Sequence, residues 1–109
     1  MYWIVPSISP LLTLERADVE IRSTDLTGAR RWARSRPWKS GVRPPLLAQL
    51  LTRKLGMQVT PSAFIPQLRP GDEVLVGSVV LPRRITPEDV ARPDRVVIRW
   101  LVVRVKEPR

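Results

Sequence analysis

Six cations fall within fourteen residues of this chain: Arg30, Arg31, Arg34, Arg36, Lys39 and Arg43, with Trp32 and Trp38 set among them. A guanidinium fork holds phosphate at two points, and indole rings between such forks suit stacking on bases or gripping a phosphodiester. A solvated helix face has the same composition, so the stretch reads equally as a DNA- or RNA-binding face and as plain surface charge. A second basic pair, Arg83 and Arg84, follows Pro82 in a loop. Ser7 and Ser9 sit where the first apolar run opens into a loop, a position for ligand-facing hydroxyls or for turn residues that bond their own backbone. Glu88 and Asp89 open a short helix. The helix dipole accounts for them better than catalysis does, because the sequence pairs them with no second acid.

The overall balance sharpens this. Lys and Arg number 19 against 10 Asp and Glu, a net charge of +9, and only three of the cations are Lys. An anionic partner is the fair expectation. Thermal adaptation is the other reading of the composition: Asn and Cys are absent, Gln is scarce and Pro numbers 12. It accounts for stiff loops but not for an unbalanced positive excess. With no His and no Cys, imidazole catalysis, thiolate metal sites and disulfides are excluded. P-loop, dinucleotide, nucleophile-elbow and zinc spacings are missing too, so no metal or cofactor is expected. No run of eighteen apolar residues occurs, and the N-terminus lacks the basic leader and cleavage site of a signal peptide. The expectation is a cytoplasmic protein without membrane association.

The elements that must position these residues are organised around residues 42–72. Leu46, Leu47, Leu50, Leu51 and Leu55 share one face at helical spacing. Pro44 and Pro45 suit the start of that helix and Gly56 its left-handed stop, which sets it at residues 45–55. An extended segment at 63–68, the turn Arg69-Pro70-Gly71-Asp72 and a strand at 73–81 follow. Upstream, residues 2–9 read as a short strand, and residues 18–22 as a second with Val19 and Ile21 turned inward. Thr24 or Thr27 caps a helix that buries Ala29, Trp32 and Ala33 and ends before Pro37. Downstream, Thr86-Pro87-Glu88-Asp89 starts a short helix, and residues 95–105 form a long strand interrupted only by Arg99 and Arg104. At 109 residues the chain is one α/β domain with a mixed sheet of about five strands and short flanking helices. Its apolar surplus points to a homodimer.

This order, carried by YWIVPSISPLL, Ala48-Gln49-Leu50-Leu51, Leu55-Gly56, Val59, Pro70-Gly71-Asp72, Leu81-Pro82-Arg83 and the closing VVIRWLVVRV, resembles the small archaeal-virus and phage proteins classed as DUF1874. That family includes viral anti-CRISPR ring nucleases. The resemblance spans nearly the whole chain and implies a homodimer whose two-fold cleft binds cyclic tetra-adenylate, a second messenger that some members linearise to silence type III CRISPR nucleases. It also implies a Gly-His pair just before the helix, where this chain has Arg43-Pro44, with Leu46-Leu47 in place of small hydroxyl residues. The catalytic histidine is replaced. An Asn-Arg pair becomes Ser62-Ala63, the Asn of the first loop becomes Pro6, and the acid after the Leu-Pro-Arg loop has no counterpart. Ser7, Ser9, Arg43 and Arg83 or Arg84 remain to bind a ring.

Three functions stay open at this point. The first is a dimeric cyclic-oligoadenylate binder that sequesters its ligand or opens it slowly. The second is a basic viral or regulatory protein that binds DNA or RNA through Arg30, Arg31, Arg34, Arg36, Trp38 and Lys39. The third is a structural or protein-interaction role.

Overall fold

The computed structural model describes residues 1–10, 14 and 18–107, so Leu11 and Leu12 of the first-loop pattern lie outside the described residues. Five strands, β1 (Tyr2–Val5), β2 (Val19–Thr24), β3 (Trp38–Ser40), β4 (Glu73–Val79) and β5 (Ile98–Val105), form one mixed sheet. Helix α1 (Leu26–Ser35) joins β2 to β3, and α2 (Pro45–Leu55) joins β3 to β4. The short α3 (Pro87–Ala91) and a 3₁₀ turn (Pro93–Arg95) lead into β5. The strand order is β2-β5-β4-β1-β3. β1 runs parallel to β3 and β4, while β5 runs antiparallel to β4 and β2. The α/β class with five strands and short helices is therefore as the sequence implies.

Local chemistry explains where the elements begin and end. Pro45 occupies the first turn of α2, where a missing N–H costs nothing, and Gly56 ends it at φ 72°, donating its N–H to the Thr52 carbonyl at 2.9 Å. The leucine face turns to the core as its spacing demands, with Leu50, Leu51 and Leu55 buried and Leu46 and Leu47 half-buried. Asp25 caps α1, rather than Thr24 or Thr27: its carboxylate accepts the Gly28 N–H at 2.8 Å. A carboxylate also sits better than a hydroxyl at a positive helix end.

Two expectations are corrected by the sheet itself. Residues 63–68 are not a strand; they run irregularly, burying Pro66 and Leu68 and exposing Phe64 and Ile65. The strand beside β1 is instead β3, three residues between Pro37 and Gly41, too short for alternation to show. Val19 and Ile21 are exposed, not inward. β2 does alternate, but these two side chains lie on the face opposite the helices, at an edge that no described element covers.

Both faces of the inner strands are apolar. On one, Ile4, Leu75, Trp100 and Val102 pack against Trp32, Ala48, Leu51 and Leu55 of the helices. On the other, Val5, Val74, Val76, Val103 and Val105 pack with Leu68 and are bordered by Trp3, Leu14 and Leu101. Gly77 faces Trp100 across the β4–β5 ladder, and a Cβ there would stand 2.7 Å from the indole, so only glycine lets that ring lie flat on the sheet. Among the described residues, no helix is long and apolar enough to cross a membrane.

Candidate functional site

Because β1, β3 and β4 are parallel, the segments leaving them emerge at the same end of the sheet. In open α/β sheets, ligands collect beyond the carboxyl ends of the strands. Ser7 and Ser9 follow β1, Arg43 follows β3, and Arg83 and Arg84 follow β4, so the five candidate ligand-binding residues share one rim. An open cavity of about 830 Å³ lies at this end, where β2 stops opposite Trp100 and β5 runs on to Ile98. Ser7, Ser23, Ser78, Lys54 and Arg99 give it polar groups, and Ile8, Val76 and Leu101 give it apolar wall. Arg43, Arg83 and Arg84 are not part of that wall.

The rim residues differ in how free they are. The Ser7 hydroxyl donates to Ser9 Oγ at 2.9 Å, and the Ser9 N–H donates to Ser7 Oγ at 3.3 Å, so each serine partly satisfies the other. Arg83 is engaged. Its fork donates to both carboxylate oxygens of Asp89, at 2.7 and 2.9 Å, and to the Arg84 carbonyl at 3.1 Å. Asp89 also accepts the Thr86 N–H at 2.8 Å, closing the first turn of α3. The Arg83 hydrogen bonds, followed by that backbone N–H, hold the Asp89 carboxyl well below the usual carboxylate range, and the same contact raises the Arg83 guanidinium. Arg43 and Arg84 are exposed, and no described residue engages either guanidinium.

The arginine-rich stretch is divided in the same way. Arg30 donates to the Lys54 carbonyl at 2.9 Å and so ties α1 to the end of α2. Arg36 lies over the rings of Tyr2 and Trp32, 5.8 and 5.3 Å from their centroids, and meets Glu73 at 3.3 Å. Both indoles belong to the core. Trp32 is 3% exposed and donates to Glu73 at 2.7 Å; the half-buried Trp38 donates to the Ala33 carbonyl at 2.8 Å. Trp32 presents no face for base stacking, whereas Trp38 also lines an open cleft with Lys39, Gln58 and Phe64. Arg31, Arg34 and Lys39 remain exposed and without a described partner.

The fold has a counterpart among solved structures. The chain is similar to B116 of Sulfolobus turreted icosahedral virus. The two superpose with a TM-score of 0.74 over 94% of this chain and 97% of B116, at 13% sequence identity. That likeness establishes the shared fold. No family model and no curated protein sequence matches the chain.

Sequence reasoning did not single out Lys54, Ser23, Ser78 or Arg99 as lining one cavity. Arg99 left a signal, as an interruption of an otherwise apolar strand. Lys54 left none, since a cation in the last turn of a helix is ordinary. Among the described carboxylates near the rim, Asp89 is held by Arg83 and Asp25 by its capping bond, while Glu88 lines a cleft with Arg83, Arg92 and Arg95. Among the described residues, no group of three or more Asp and Glu is placed to hold a metal ion.

Proposed function

We propose that the chain is a homodimeric protein that binds a cyclic oligoadenylate, cyclic tetra-adenylate first, at the rim beyond β1, β3 and β4. In this reading it acts in a viral setting against type III CRISPR signalling, by sequestering the ring or opening it slowly. One observation supports it above the rest: Arg43 and Arg84, two uncommitted guanidinium groups, lie on the end of the sheet that also holds Ser7 and the open cavity. The fold shared with a virus protein supports the setting.

The chemistry follows from what the rim lacks. Opening the ring requires a ribose 2′-hydroxyl placed in line with its phosphate and stabilisation of the charge that develops. Arg43 and Arg84 supply charge, but Pro44 stands where the resemblance calls for a catalytic histidine. Turnover without a base is slow, which favours sequestration. The test is a calorimetric titration with cyclic tetra-adenylate and cyclic hexa-adenylate. Saturable binding of one ring per dimer supports the reading, and no heat from either ring defeats it.

A second reading rests on Arg31, Arg34 and Lys39, which stay exposed on and beside α1. These cations suit DNA or RNA phosphates, with Trp32 withdrawn into the core and the half-buried Trp38 beside Lys39 on an open cleft. Steep loss of affinity with salt, as many phosphate contacts produce, would favour it.

A further inference from the structure

We propose that two copies of the chain pair edge to edge through β2, two-fold related about Ile21, so that their sheets become continuous. β2 is an edge strand, bonded on one side to β5, and residues 19–23 are all exposed. Beside it, the Lys106 N–H donates to the Asp18 carbonyl at 2.9 Å. Val19 opposes Val105, so Asp18 and Lys106 form the next, hydrogen-bonded pair of this antiparallel ladder. Alternation then turns the backbone groups of Glu20 and Arg22 toward β5 as well, and those of Val19, Ile21 and Ser23 outward. The open edge is thus a row of unpaired donors and acceptors.

The side chains select the register. A two-fold axis normal to the sheet makes opposed residues point to the same face, so the axis passes through a residue. Centring on Glu20 sets glutamate against glutamate, and centring on Arg22 sets arginine against arginine. Centring on Ile21 sets Glu20 against Arg22 of the second copy twice, Ile21 against Ile21, and Val19 against Ser23. Centring on Glu20 also sets Asp18 against Arg22, so the Ile21 register is the one that matches opposite charges with no like charges opposed. It also continues a row already built across the sheet, where Glu73 opposes Arg104 and Arg104 opposes Glu20. Arg22 of the second copy adds the next alternating charge. On the other face the contact covers Ile21 and Val19, which are 56% and 38% exposed in the single chain. No Pro or Lys blunts this edge.

The contact is distinct from a two-fold that would bring two rims onto one ring. Antiparallel pairing of β2 sends the carboxyl rims to opposite ends of the joined sheet, so this interface links ring-binding units rather than forming them. It stands whether or not the rim binds a nucleotide.

Sedimentation velocity on Glu20→Arg and Arg22→Glu tests it. Either change opposes like charges at both symmetric positions, and both side chains are exposed, so each variant should stay folded by far-ultraviolet circular dichroism. The parent should sediment at twice the 12.5 kDa chain mass or above. Each single variant should show at most half the parent mass. An equimolar mixture of the two should return to the parent mass, because the arginine introduced in one chain then meets the glutamate introduced in the other. The double exchange Glu20→Arg/Arg22→Glu should do so alone. A parent at the mass of one chain, single variants at the parent mass, or a mixture that stays at the single-variant mass overturns the proposal.

Discussion

Arg83 and Asp89 share two hydrogen bonds that fasten the loop after β4 to the start of α3. The contact carries a pH signature. Asp89 titrates lower in the folded chain than unfolded, so its stabilisation is fully present above the ordinary carboxylate value of about 3.9 and is lost as pH falls through the depressed folded value. The melting temperature of Asp89→Asn should lie below the parent's at neutral pH, and the gap should close on acidification below about pH 4. A gap unchanged across that range would mean the contact does not form in solution. Such engagements were not legible in the sequence. Arg83, Arg30 and Arg36 look like Arg43 and Arg84 in composition, yet the first three are tied to a carboxylate, a helix-end carbonyl and a pair of rings. Only tertiary placement separates a structural arginine from one left for a ligand, and the same holds for Trp32 and Trp38, whose N–H partners are distant or backbone groups.

At the scale of elements, α2 and the segment after it act as a clamp. The Thr52 hydroxyl donates to the Ala48 carbonyl at 2.8 Å, lies 3.2 Å from the Val59 carbonyl and accepts the Val59 N–H at 2.8 Å, pinning the chain after Gly56 back onto the helix. Thr52→Val keeps the shape but leaves the N–H of the buried Val59 unpaired, which should cost about 1–3 kcal/mol in urea unfolding. An unchanged midpoint would show that the clamp is idle. Leu50→Asp, with its carboxylate in a fully enclosed site, should abolish the cooperative transition altogether. The helix and the strands β4 and β5 were legible because apolar periodicity, Pro at the start and Gly at the stop agree with one another. β3 and the irregular course of 63–68 were not. A three-residue strand is too short for periodicity, and its pairing to β1 depends on a distant crossover rather than local pattern. The alternation of β2 was legible, but which face a second layer would cover was not.

At the scale of the whole molecule, a net charge of +9 draws in anions of every kind, so affinity alone does not separate a ring on the rim from a polynucleotide on α1. Ring binding should fall only shallowly with salt, and polynucleotide binding steeply, because the slope counts displaced counterions. The five candidate rim residues were legible as types, and their convergence on one end of the sheet follows from the parallel strands. The cavity beside them was not, since it depends on β2 stopping two residues before β5 begins. The most direct measurement compares cyclic tetra-adenylate affinity, by calorimetric titration, across the parent, Arg43→Ala and Arg34→Ala. A lost charge-assisted contact costs about 1.5–3 kcal/mol, and a dimer loses two, so Arg43→Ala should weaken binding by roughly two to four decades while Arg34→Ala leaves it unchanged. Undiminished affinity in Arg43→Ala, with the loss appearing in Arg34→Ala instead, would contradict the rim and place the anion on α1.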